Sequence, residues 1–126
     1  MSDAGRVEIV VEVVTLDGIK IACVRPEGEI DLSNAEELGA ALSSPQTDAC
    51  AGTLVDLREV DFMDSSGLRV MLMNAREGGG RFATIIREDS AVANLFEMVD
   101  VGERLNVMPT EDEALAKIRA GADDGG

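Results

Sequence analysis

Residues 7–14, Val-Glu-Ile-Val-Val-Glu-Val-Val, are dense in β-branched side chains and read as a strand. Asp17-Gly18 is a turn signal, and residues 19–25 resume with partial alternation of apolar and polar positions, so the two runs predict a hairpin. Pro26 is expected to end the pairing, and Gly28-Glu29-Ile30-Asp31 leads towards a first helix. There Ser33-x-x-Glu36 has capping-box spacing, while Ala35, Leu38, Gly39 and Leu42 recur at helical intervals. Residues 43–52, with Pro45, Asp48 and Gly52, read as a loop. A short apolar run at 53–57 suits an inner strand and gives way to a charged connector, Arg58-Glu59-Val60-Asp61. Phe62-Met63-Asp64-Ser65-Ser66-Gly67-Leu68 then leads into a second helix over about residues 65–76, closed by Gly78-Gly79-Gly80.

Residues 81–86 form the next apolar strand pattern. Ser90 is placed to cap a third helix with Val92, Leu95, Phe96 and Val99 as its apolar stripe, stopped by Gly102. Residues 105–108 make a brief strand, Pro109 breaks it, and Thr110-x-x-Glu113 is a second capping box ahead of Leu115 and Ile118. Residues 1–6 and 121–126 are small, polar or acidic, and read as disordered ends. After the opening hairpin the order is βαβαβα, which calls for a largely parallel sheet with right-handed crossovers. The expectation is a single α/β domain over residues 7–120, a mixed and mostly parallel sheet of about five strands with about four helices.

Composition narrows what such a domain can do. At 126 residues it can bury about two-thirds of its unfolded surface in one core. Aromatics are only 2%, so that core rests on Val, Leu, Ile, Ala and Met. A net charge of −14 opposes binding to nucleic acid or to an anionic membrane surface, and a basic protein surface is the natural complement. Cys23 and Cys50 have no metal-ligand spacing, and Cys23, inside a strand pattern, reads as a buried reduced thiol. No apolar run approaches the ~20 residues of a membrane span, so the expected compartment is the cytoplasm. Enzymes are poorly served. The absence of His removes the usual general base and the commonest transition-metal ligand, and Ser65 lacks the Gly-x-Ser-x-Gly elbow. A phospho-aspartate site at Asp56 would need an acidic pair after the first strand and a Lys after the last, and has neither. Gly78-Gly79-Gly80 follows a helix without Lys-Ser/Thr, a turn and not a phosphate cradle. Glu59 and Asp61 read as a solvated loop. Neither a cofactor nor a metal is expected.

The chemistry concentrates where residues 53–75 pass from strand to loop to helix. A helix start leaves backbone N–H groups unpaired and prefers negative charge. Asp64 or Ser65 can cap it, and a phosphate added to either serine hydroxyl would meet its positive end. By itself this stretch reads more readily as a helix start dressed with ordinary capping residues. Its context, however, resembles a known signature. Phe62-Met63-Asp64-Ser65-Ser66-Gly67-Leu68, after Val55-Asp56-Leu57 and before Val70-Met71-Leu72, together with Gly28-Glu29-Ile30-Asp31, is similar to the motifs of anti-anti-sigma factors (anti-sigma factor antagonists). These belong to the sulphate-transporter and anti-sigma-antagonist, or STAS, family.

The resemblance implies a non-enzymatic regulator. In that family the unphosphorylated domain binds an anti-sigma factor that is also an ATP-dependent serine kinase, freeing a sigma factor for transcription. Phosphorylation releases the partner, and a serine phosphatase resets the switch. Carried over by position, Ser65 is the phospho-acceptor, Asp64, Ser66 and Gly67 shape the loop, and Asp31 matches an acidic residue near the partner surface; Asp31 is equally a charge for the helix it precedes. Other assignments stay open: a STAS subunit of a stress-signalling scaffold or of a lipid or anion transporter, and a nucleotide- or small-molecule-binding module. Independently of the family, helical periodicity puts Leu68, Met71, Leu72 and Ala75 on the sheet side of the second helix. Val70 and Met73 fall on the outer side, an apolar pair that a partner would cover together with the Ser65 loop, or that is ordinary scattered surface or covered by a neighbouring element.

Overall fold

The computed structural model describes residues 6–124. Strands β1 (Val7–Leu16) and β2 (Ile19–Ile30) form the expected antiparallel hairpin, with Leu16 paired to Ile19 across a two-residue turn. Asp17 and Gly18 both take positive φ, 52° and 82°, the conformation a tight hairpin demands and Asp-Gly supplies. Helix α1 (Ala35–Leu42) and the short α2 (Pro45–Asp48) lead to β3 (Gly52–Asp56) and β4 (Val60–Met63). Then come α3 (Ser65–Gly78), a 3₁₀ turn (Gly79–Arg81), β5 (Phe82–Ile85), α4 (Ala91–Val99), β6 (Val107–Met108) and α5 (Glu111–Asp124).

Among the described residues the sheet has six strands in the order β1-β2-β3-β5-β6, with β4 pairing β2 beyond the end of β3. Every pairing after the hairpin is parallel. Side chains alternate between two cores. On one face Val24, Val55 and Phe82 meet Leu38 of α1, Leu68 and Met71 of α3 and Phe96 of α4. On the other, Cys23, Leu54, Ala83 and Ile85 meet Ala114 and Ile118 of α5. Cys23 is buried, and burial pushes its thiol up to about 11, which keeps it protonated and inert.

Several local expectations change. The pairing does not stop at Pro26, which lies opposite Ile9 within the hairpin. On its other side β2 pairs β3 only through Val24 and β4 only from Gly28, so the missing N–H interrupts no ladder there. The connector expected at residues 58–61 instead feeds a strand, β4, because Val60 and Met63 are buried while Asp61 and Phe62 stay outside. Ser33 does not cap α1. Asn34 holds the N-cap position without a side-chain cap bond, since its amide is spent on the Asp31 N–H and the Glu29 carbonyl. Within the expected loop at 43–52, Ser44 accepts from Thr47 N and Pro45 takes the first helical position, which is enough for one turn of helix. Helix α4 stops at Asp100, left-handed at φ 53° and ψ 54°, with Val101 N–H donating to Phe96 O before Gly102 is reached. Ser90 and Thr110 do cap, accepting from Ala93 N and Glu113 N. The end expected to fray from residue 121 is helical to Asp124, and Gly121 packs on the Gly80 backbone where a Cβ would collide. Arg6, expected in the disordered N-terminus, is held by its carbonyl accepting from the Glu29 N–H, while the expected disorder of residues 1–5 and 125–126 lies outside the described residues.

Candidate functional site

Two loops meet at the end of the sheet where β2 and β4 stop. Ile30 and Met63 are in register, so the segments that follow, 31–34 and 64–67, leave the sheet side by side. Asp64 joins them. Its N–H donates to Ile30 O at 3.1 Å, and its Oδ2 accepts the Leu32 N–H at 3.2 Å. Its Oδ1 accepts from Ser66 N at 2.8 Å and Gly67 N at 3.4 Å, making Asp64 the N-cap of α3. Asp31 organises the other loop in the same way. Its Oδ1 accepts from Ser33 N at 2.9 Å and Ser33 Oγ at 2.5 Å, and its carbonyl accepts from Ala35 N at 2.8 Å. Both carboxylates are thus committed to hydrogen bonds within the loops, and Asp64 ties the two loops together.

Ser65 is the first residue of α3 and is exposed, while Ser66 is half-buried and Gly67 buried. The glycine is a packing requirement. A Cβ at Gly67 would lie 2.7 Å from Ile30 Cγ2 and 2.8 Å from Met63 Cγ, so only a residue without one lets α3 start this close to the sheet. The first turn of α3 carries no acidic residue of its own, which leaves the Asp64 carboxylate as the nearest negative charge on the helix start. Asp61 stands exposed on β4 a few residues before it.

Leu68, Met71 and Ala75 face the core as expected, with Leu72 partly buried beside them. The outer pair is different. Met73 is 56% exposed, but Val70 is half-buried and packs towards α1, where a Cβ on Gly39 would lie 3.6 Å from Val70 Cγ1. Helical periodicity finds the side opposite the sheet and cannot see that a neighbouring helix covers part of it. Val70 is therefore a seam between helices, and the pair does not form one open face. Two apolar side chains that sequence reasoning passed over are exposed on the segments that meet at Asp64. Leu32 is 82% exposed on the loop tied to Asp64, and Phe62 is 44% exposed on β4. Their signal was an apolar residue inside a polar loop motif, which periodicity does not score.

Asp56 ends β3 at a separate cluster on the α5 side. Arg58 Nη2 lies 2.8 Å and Arg25 Nε 3.5 Å from its carboxylate, and Arg25 also reaches Glu12 and Glu111. Burial by itself would raise the Asp56 carboxyl, but hydrogen bonds from the Arg58 side chain and backbone, with the charges of Arg58 and Arg25, outweigh it and hold it below its ordinary value. Paired in this way it is a structural anion. At the far end of α3, a cleft of about 280 Å³ is lined by Thr47, Cys50, Asn74, Glu77 and Arg81. Among the described residues no three His, Cys, Asp or Glu side chains are grouped to hold a metal ion, and no helix is long and apolar enough to cross a membrane.

The mostly parallel sheet, the helices that cover it and the paired loops at its end define a known class of domain. The chain belongs to the STAS domain family, whose model matches residues 10–114. Among its relatives is BtrV of Bordetella bronchiseptica, whose name places it with the anti-sigma factor antagonists. The two are 36% identical over 62 residues, 49% of this chain and 52% of BtrV, so the match spans about half of that relative. Two solved structures are similar over nearly their whole length. An anti-sigma factor antagonist from Mycobacterium paratuberculosis is 26% identical with a TM-score of 0.73, covering 89% of this chain and 95% of its own. The anti-sigma factor antagonist SpoIIAA, in its unphosphorylated form, is 26% identical with a TM-score of 0.69, covering 90% and 97%.

Proposed function

We propose that this protein is an anti-sigma factor antagonist switched by phosphorylation of Ser65. In its unphosphorylated form it binds, in the cytoplasm, an anti-sigma factor that is also a serine kinase, and so frees a sigma factor to start transcription; a serine phosphatase restores the binding form. The protein itself performs no catalysis. The observation that carries this reading is the placing of Ser65, exposed at the first position of α3 beside an Asp64 carboxylate that already bridges two loops. The names of the relatives, one of them solved in an unphosphorylated form, support it.

The charge balance explains how the switch works. A phosphate adds roughly −1.5 to −2 charge. The exposed N–H groups and dipole of α3 tolerate it, so the fold survives. A partner surface shaped for a neutral hydroxyl beside Asp64, Asp31 and Asp61 meets an added dianion and loses contact. Wild type, Ser65→Ala and Ser65→Asp are each used as bait in an extract of the source cells, and the serine kinase recovered is purified and titrated. Ser65→Ala should bind as wild type and Ser65→Asp about tenfold or more weaker. With ATP the kinase should phosphorylate wild type and leave Ser65→Ala unmodified. Equal affinity of all three proteins would refute the switch.

A further inference from the structure

Leu32 is the most exposed large apolar side chain among the described residues, at 82%. Its backbone, in contrast, is tightly held. Its own N–H is bound by Asp64 Oδ2, the residue before it is fixed by Asn34 Oδ1, and the residue after it by Asp31 Oδ1. A leucine held out to solvent on a preorganised loop loses little backbone freedom on binding, so burying it in a partner costs less ordering entropy. Phe62, one of only three phenylalanines in the chain, is 44% exposed on the strand that leads to Asp64. The segments that carry Leu32 and Ser65 are predominantly acidic, with Arg69 exposed one turn after Ser65 on α3. The sequence contains no Lys or Arg between Arg25 and Arg58, and none between Arg58 and Arg69, while Glu29, Asp31, Glu36, Glu37, Asp61 and Asp64 lie on the segments about Leu32.

We propose that Leu32 is the anchor by which this chain docks on its partner, and that the partner receives it in an apolar pocket rimmed by Lys and Arg side chains. The proposal rests on the antagonist reading and names the chemistry of its partner. Charge selects the occupant: at a net charge of −14 a second copy would set acid against acid and is disfavoured, whereas a basic rim complements the excess of carboxylates on the segments about the leucine. Because Asp64 ties Leu32 to the loop of Ser65, a phosphate there would stand at the edge of the pocket's seal.

The test is a titration of wild type, Leu32→Ser, Leu32→Met and Ser65→Asp with the serine kinase recovered by the wild-type bait, with melting curves and sedimentation of each variant alone. Leu32→Ser should lose about 10- to 100-fold in affinity, the loss expected when a leucine is no longer buried. Leu32→Met should stay within about threefold, since it keeps the volume and the apolar character. Neither should move the melting midpoint, and wild-type affinity should fall as NaCl is raised. Leu32→Ser binding as tightly as wild type while Ser65→Asp is weakened would overturn the anchor and leave the switch standing. Ser65→Asp binding like wild type while Leu32→Ser is weakened would do the reverse. An affinity indifferent to salt would remove the basic rim, and a wild-type dimer that Leu32→Ser dissociates would assign the surface to a second copy and overturn the proposal. Recovery of no serine kinase would sink both readings.

Discussion

Gly67 and Asp64 do different work within four residues of chain. Asp64 supplies the acceptor that α3 lacks at its start, and Gly67 supplies the absence of a side chain where that start rests on Ile30 and Met63. Both of those neighbours are buried, so neither can swing away from an added methyl. Gly67→Ala should therefore lift the first turn of α3 and cost about 1–3 kcal/mol, read from urea unfolding. A loss below about 0.5 kcal/mol would mean that the contact relaxes without strain. The motif Asp64-Ser65-Ser66-Gly67 was legible in the sequence, but the reason for its glycine was not, because Ile30 is 37 positions away and only the pairing of β2 with β4 brings it there.

At the scale of elements, α3 separates its two outer apolar residues. Val70 lies in the seam with α1, so Val70→Asp should put a carboxylate into a half-buried apolar contact and cost about 1–3 kcal/mol. Met73→Glu, at an exposed position, should stay within about 0.5 kcal/mol of wild type. Equal effects of the two in chemical denaturation would show that α1 does not cover Val70. The same scale explains β4. A four-residue strand with two exposed positions carries no periodic signal, and its place is decided by β2, a strand already paired on its other edge.

Across the whole molecule, the ion cluster at Asp56 joins β2, the end of β3 and the start of α5 through Arg25, Arg58 and Glu111. Its carboxyl is held below its ordinary value near 3.8 in the folded protein. On acidification the unfolded chain therefore takes up this proton first, so the cluster stabilises the fold fully above that value and the contribution is lost as pH falls through the lower folded one. The stability difference between wild type and Asp56→Asn should be constant near neutrality and shrink below about pH 3.8. A difference that is the same at pH 7 and pH 3 would show that the carboxylate charge contributes nothing.

Local rules settled much of this protein in advance. The Asp17-Gly18 hairpin, the caps at Ser90 and Thr110, the βαβ alternation and the sheet-facing stripe of α3 each follow from a few adjacent residues. The Asp64-Ser65-Ser66-Gly67 motif was also local, since a helix start and its capping side chains lie within one turn. What the tertiary structure alone decided is which surfaces remain open. Pro26 stays in a strand because β3 and β4 leave a gap beside it, Val70 is covered because α1 crosses there, and the chain beyond Gly121 stays helical because Gly80 meets it. Leu32 stands out on a loop whose backbone Asp64, 32 positions away in sequence, holds. Exposure depends on neighbours distant along the chain, and a one-dimensional pattern carries side chain chemistry without carrying its neighbours.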